Sequence, residues 1–319
     1  MWWDKPGTKK AAAEAAPFPF MKFRWVGFIV TGIIAISTTV SLATQGLNLG
    51  LDFTGGVQVE ATTQQVFDTA VVRAEMEKAG FGEDVGITPT DAGKTVLIRL
   101  PLHEGATDVS AITNKVTQAL GPTATVRKTD SVGAKVSGEL FQGGVIASLI
   151  AVGMIGLYVW FRFESKFGWG AFITTLHDVY AVVGLFSITR WTFDLTIVAG
   201  VLTVAGYSIN DTVVVFDRIR EMLKKYKKMP LSRIIDISIT STLSRTLITS
   251  LATMIAAVSM LLLGGPVLRG FAASIVFGIL IGTYSSIFVA APMLIYLPGR
   301  TTGSRFQKAA EGKEAEAAT

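Results

Sequence analysis

From Leu195 to Asp217 the chain is apolar over a length that can cross a bilayer, and Asp211 sits inside that run. No other feature restricts the fold as strongly. A lipid-facing carboxylate near mid-helix costs on the order of 2.5 to 3.5 kcal/mol, so Asp211 is expected to face a bundle interior, a partner charge or a water-filled path. With a helix starting at Leu195, Asp211 lies about 24 Å along it, in the far third of a hydrocarbon core about 30 Å thick. Ser208, Asn210 and Thr212 offer it hydrogen bonds. Two readings stay open: a functional acid, or a packing residue that bonds a neighbouring helix.

The remaining sequence agrees with a membrane as solvent. Half of the 319 residues are hydrophobic and 17% are charged, a balance that points to a polytopic membrane protein. The net charge of +5 comes mostly from Lys and Arg flanking apolar runs, which is the pattern that orients membrane proteins, so nucleic acid is not an expected partner. There is no cysteine, and His103 and His177 are the only histidines. Thiolate and histidine metal centres are therefore excluded, and no cofactor is expected.

Taken in order, residues 1–22 read as a tail, and Lys22 and Arg24 lead into a first membrane helix over 23–46. Ser41-Leu-Ala43 resembles a cleavage site, but the apolar run exceeds the core of a signal peptide and an uncleaved helix is expected. Residues 138–299 hold helices two to six. The second runs from Phe141 to Phe161 and the third from Trp169 to Ile188, joined by a basic loop containing Arg162 and Lys166. Arg190 to Asp194 is a tight external turn into the fourth helix, which ends at Asp217. The basic segment 217–242 follows, with an interfacial helix from Leu231 to Thr242 after Pro230. Leu243 to Leu263 and Leu268 to Leu297 complete six spans, the last with a Gly278-xxx-Gly282 packing pair. Residues 300–319 form a second tail. The basic loops put both tails and 217–242 on the cytoplasmic side.

Residues 47–137 change character to mixed charge and short periods, as in a separate external domain. Val57 to Thr62 alternates like a strand, and Asp68 to Ala79 reads as a helix with Asp68 at its N-cap and Gly80 at its stop. Strands are expected at Val85 to Thr88 and Thr95 to Leu100 around a turn at Asp91-Ala-Gly93. A second helix, Thr107 to Leu120, stops at Gly121-Pro122, and Thr125 to Lys128 is a last short strand. This βαββαβ order is that of a ferredoxin-like module. Asp84, Asp91 and Asp108 read as solvated or capping residues and His103 as an exposed loop histidine, so no catalytic constellation is expected there.

Depth arithmetic connects distant residues. Arg245 lies about 27 Å from the external end of its helix and Asp211 about 24 Å from that of its own. If these antiparallel helices are neighbours, the two can meet and Arg245 can hold the carboxylate ionised. Asp178 falls at a comparable height beside His177, either as a helix-packing pair or as part of a proton path, and Asn210 and Asp217 complete a possible secondary polar layer. Ionisable groups in one layer, with no nucleophile or cofactor motif, point to ion movement and not to enzyme chemistry.

Several stretches then resemble the SecF family, the smaller subunits of the SecDF protein-export complex in the resistance-nodulation-division superfamily. They are Leu49-Gly-Leu-Asp52-Phe53-Thr54-Gly55-Gly56 after the first helix, Val132 to Leu140, His177-Asp178, Gly206 to Arg218 around Asp211, Thr242 to Ser250 around Arg245, and Gly264 to Gly270. The resemblance spans about residues 22 to 298 and departs at Ala134, where the family commonly has Pro. It implies a multi-pass subunit of the bacterial inner membrane with a periplasmic domain between helices one and two. The implied partners are SecD, the SecYEG channel, preprotein substrates, protons and other auxiliary Sec subunits. By the same resemblance, Asp211 and Arg245 are the positions that handle protons. A proton-coupled exporter of small molecules or lipids, and a passive translocon scaffold, are the competing readings.

Overall fold

A computed structural model describes residues 17–64, 66–82, 85–90, 93–101 and 108–297. The expected tails over 1–16 and 298–319, Asp84, Asp91 and His103 lie outside the described residues. The chain divides into two compact units: one made of residues up to Leu47, Leu149–Trp191 and Ala199 onward, the other of Asn48–Ser148 and Thr192–Val198.

In the second unit, a short strand β1 (Asn48–Leu49) and one helical turn (Leu51–Thr54) precede β2 (Gly56–Thr63). Helix α2 (Thr69–Lys78) follows the first membrane helix in number; then come β3 (Gly86–Thr90), β4 (Thr95–Leu100), α3 (Val109–Leu120) and β5 (Ala124–Val132). The four longer strands form one sheet in the order β3-β4-β2-β5, every pair antiparallel. Alternation puts Val57, Val59 and Ala61 of β2 and Val96, Ile98 and Leu100 of β4 on one buried face, covered by Val72 and Met76 of α2 and Val116 of α3. Both helices start on an Asp: Asp68 accepts the Ala70 amide at 2.9 Å, and Asp108 accepts those of Ser110 and Ala111 at 3.0 and 3.1 Å, as helix N-caps do. Strand β5 runs well past the expected Lys128 because it pairs with β2 as far as Gly56↔Val132. It is an edge strand, and its polar run Arg127 to Ser131 carries no apolar alternation to announce it. A two-residue strand β6 (Thr192–Phe193) pairs in parallel with β1, where the sequence suggested only a turn.

The first unit is helical. Among the described residues, six helices are long and apolar enough to cross a membrane: Phe20–Gln45, Ala134–Arg162, Ser165–Thr189, Leu195–Lys225, Leu231–Leu263 and Val267–Tyr296. A 3₁₀ turn (Phe20–Phe23) opens the first, whose α-helical part is α1 (Arg24–Gln45); the others are α4 (Ala134–Arg162), α5 (Ser165–Thr189), α6 (Leu195–Lys225) and α7 (Leu231–Leu263). The last is α8 (Gly265–Ser285), a π turn (Ser286–Ala290) and α9 (Ala291–Tyr296).

Helices α4 and α5 start before the expected Phe141 and Trp169 and take in Arg162 and Lys166 of the expected basic loop; three further differences have a local physical reason. Helix α6 continues eight residues beyond Asp217 because Ile219, Met222 and Leu223 keep a buried face at helical spacing. The segment Leu231–Thr242 is no separate interfacial helix but the start of α7: Ile234, Ile235 and Ile239 are wholly enclosed with Ile219 and Leu223 of α6 in one core. The sixth span is interrupted where Pro292, lacking an N–H, cannot bond the carbonyl four residues back at Phe288. The π turn falls at that point, as such local distortions do in helices.

Candidate polar site in the helical unit

Asp178 is fully enclosed, and its carboxylate is saturated. Oδ2 accepts from the hydroxyl of Ser208 on α6 and, at 2.7 Å, from that of Ser285 on α8. Oδ1 lies 2.9 Å from Nδ1 of His177. Three helices thus converge on one carboxylate. Close approach of α8 makes this possible: a Cβ at Gly278 would run into Val204, and one at Gly282 would lie 3.2 Å from the Ser208 Cβ. The Gly278-xxx-Gly282 pair is therefore a contact face between α8 and α6.

One turn along α6 from Ser208, Asp211 is in the opposite condition. It is 3% exposed and its Oδ2 is buried with no hydrogen-bond partner. The adjacent Thr212 hydroxyl pairs with Ser286 at 3.0 Å and does not serve it. A second polar chain runs from Tyr207 through Ser250 of α7 (3.1 Å) to Thr283 of α8 (2.9 Å). The imidazole Nε2 of His177 is likewise buried without a partner.

The structure separates residues that the depth arithmetic grouped. No ion pair joins Arg245 to Asp211 among the described residues, and Arg245 itself is exposed on α7. Distance along a helix sets height, whereas the direction of a side chain turns by about 100° per residue. Asn210 points out of the layer for the same reason and is exposed. Asp217 belongs to another environment: it accepts a hydrogen bond from Arg162 at 2.6 Å, forms an ion pair with Arg220 across 3.6 Å, and is 40% exposed. Sequence reasoning missed Ser285 altogether; the available signal was the polar run Thr283-Tyr-Ser-Ser286 inside an apolar span.

The motif after the first helix plays a mechanical part within the other unit. Asp52 accepts the Leu195 amide at 3.1 Å and Asp194 accepts that of Ile197 at 3.0 Å, so two carboxylates cap the start of α6. Phe53 packs edge-on to Phe141 and against Phe193, and the Thr54 hydroxyl bonds the Gly50 carbonyl at 3.1 Å. Gly55 (φ 68°) and Gly56 (φ 118°) turn the chain into β2 in conformations that favour glycine, and a Cβ on Gly56 would strike the Leu100 carbonyl. Arg99 reaches across from β4 to the Leu49 carbonyl (2.6 Å) and Asn48 Oδ1 (3.0 Å). Burial lowers its pKa, while the charge of Asp194 opposes that shift. Burial also pushes the Asp194 carboxyl above the usual range, and the Ile197 amide opposes it.

Residues 112–300 match the family model described as Protein export membrane protein SecD/SecF, C-terminal, and residues 40–65 match the SecD/SecF GG Motif. The chain is 40% identical over 288 residues to Protein translocase subunit SecF of Cereibacter sphaeroides, covering 86% of this chain and 89% of that one. It is 40% identical over 278 residues to the protein of the same name from Pseudomonas aeruginosa, covering 87% and 90%. Among solved structures, the translocon-associated membrane protein SecDF of Thermus thermophilus superposes with a TM-score of 0.82 at 35% identity. That match covers 88% of this chain and 39% of the SecDF chain. A second SecDF structure, in a super-membrane-facing form, gives 0.64 at 32% identity, covering 98% and 41%. On these matches, which extend over most of its length, the chain belongs to the SecF family of protein translocase subunits.

Proposed function

We propose that the chain is an auxiliary, non-enzymatic subunit of the bacterial Sec translocase that works with SecD and uses the proton gradient to promote preprotein export through the SecYEG channel. In this reading it resides in the inner membrane with both termini cytoplasmic. The βαββαβ unit is a ferredoxin-like periplasmic domain that meets the emerging preprotein. The chain spans 39% of the length of the SecDF structure it superposes on, which leaves the remainder for a SecD partner to supply.

The observation that carries the proton role is Asp211: a buried carboxylate in a membrane-spanning helix, with one oxygen that no donor satisfies. Such an oxygen can take up a proton without breaking a hydrogen bond, and an ionisable group at this depth is a functional site by default. Arg245 is the basic partner in this reading, because an arginine brought beside a carboxylate favours its ionised form. Asp178, with hydrogen-bond partners on both oxygens, is the held residue of the layer and not the carrier.

The test is preprotein export into membrane vesicles holding the full translocase, with and without a proton gradient. Asp211→Asn is expected to insert and assemble yet lose the gradient-dependent part of export. Arg245→Met loses the same part, Arg245→Lys keeps some of it, and the double variant is no worse than either single one. Normal gradient-dependent export by Asp211→Asn refutes the proton role.

A further inference from the structure

At the basic end of the first span, the 3₁₀ turn, the first two turns of α1 and the end of the sixth span around its π turn flank an open groove of about 290 Å³. Phe18, Phe23, Val26, Gly27, Val30, Tyr284 and Phe288 form it, and they present carbon alone. The Tyr284 hydroxyl is turned away, donating to the Gly27 carbonyl at 2.5 Å and pairing with Thr31 at 3.3 Å. Phe288 lies in the π turn, four residues before Pro292. From Phe23 to Val30 the lining follows α1 inward for about 10 Å at 1.5 Å per residue.

The mouth is cationic. Lys22 is exposed and Arg24 half-buried. Arg24 donates from Nη1 to the Met21 carbonyl at 3.3 Å, while its Nε is buried with no acceptor. The nearby acid is Asp236, 7% exposed and already accepting the Met21 amide at 2.9 Å, and Arg233 on the first turn of α7 acts on it electrostatically. Lys22 and Arg24 thus flank the lining residue Phe23 in the chain, and the carboxylate of Asp236 is already engaged by the Met21 amide.

We propose that this groove holds one acyl chain of an anionic glycerophospholipid, with the lipid phosphate against Lys22 and Arg24. A methylene takes about the volume of a water molecule, roughly 30 Å³, so the groove accommodates on the order of ten. A lipid tail gains nothing hydrophobic by leaving other lipid tails. Preference must come from the headgroup, and two basic side chains at the surface favour an anionic over a zwitterionic lipid on the order of tenfold. Assignment of that leaflet as cytoplasmic rests on the topology proposed above; the binding itself does not.

The test is photolabelling of the purified protein in phosphatidylcholine bilayers with phosphatidylglycerol carrying a diazirine midway along one chain. Peptide mapping should concentrate adducts in 18–30 and 284–288, on the order of tenfold above a matched phosphatidylcholine probe. That preference should shrink in about 1 M salt, where the screening length falls to about 3 Å. Val30→Trp, which fills the groove, should lower labelling severalfold, while Val40→Trp, on an exposed part of the same helix, should not. Equal labelling by the two lipids, or adducts spread evenly over the spans, overturns the site and leaves only bulk lipid. Labelling requires no transport, so failure here is distinct from failure of the proton role.

Discussion

Removing the Asp178 carboxylate separates three helices' worth of donors from their common acceptor, and the structure sets the size of the effect. Ser285 can turn its one hydroxyl proton to the Gly282 carbonyl, 3.1 Å away, and Ser208 can turn to a carbonyl of its own helix. His177 has no such alternative, because its Nε2 already lacks a partner. A side-chain hydrogen bond between helices in a membrane bundle averages about 0.6 kcal/mol; with a similar value for the His177 bond inside α5, loss of all three in Asp178→Ala should cost about 2 kcal/mol. Asp178→Asn should cost about half as much, since its amide oxygen can still face the two serines. Its NH₂ then faces His177 Nδ1, which must become an acceptor and move its proton to Nε2. Reversible unfolding of the purified protein in mixed micelles measures the stability. Nitrogen NMR of labelled histidine reads the tautomer, expected as Nδ1–H in the wild type and Nε2–H in Asp178→Asn. An Asp178→Ala protein within about 0.5 kcal/mol of wild type would refute the view of Asp178 as the anchor of this layer.

Gly56→Ala places a side chain in a left-handed conformation against the Leu100 carbonyl; a cost of about 1–3 kcal/mol is expected, read as a lowered melting temperature with wild-type membrane insertion. Burial raises the Asp194 carboxyl in the folded chain, so its contribution to stability is complete below its unfolded value of about 4 and is lost as pH rises through the folded one. Asp194→Asn keeps a capping side chain without that loss. Its stability relative to wild type should therefore grow from pH 4 towards neutrality, and a difference independent of pH would contradict the assignment. The Arg162–Asp217 pair is half-exposed on both sides, so Arg162→Ala should change stability by no more than about 1 kcal/mol, measured in the same unfolding experiment.

The six spans were legible in the sequence because a bilayer accepts only helices of a certain length, and that requirement is written residue by residue along the chain. The strand and helix order of the smaller unit was legible for a related reason. Val57 to Ala61 and Val96 to Leu100 alternate, and Asp68 and Asp108 announce helix starts with side chains that act within three residues. Where the partner of a residue is remote, the sequence was silent or misleading. Strand β5 exists over its full length only because β2 lies beside it. Helix α6 outruns its apolar stretch because α7 covers its far end. Sequence spacing placed Asp211, Arg245 and Asp178 at one height and so singled out the acids, but the tertiary structure alone decided their condition. Asp178 meets serines from two other helices, Asp211 meets no donor, and Arg245 turns outward. Height along a helix accumulates from local geometry, 1.5 Å at each residue; the partner a side chain meets depends on how each helix is rotated about its axis, and only packing against its neighbours sets that rotation.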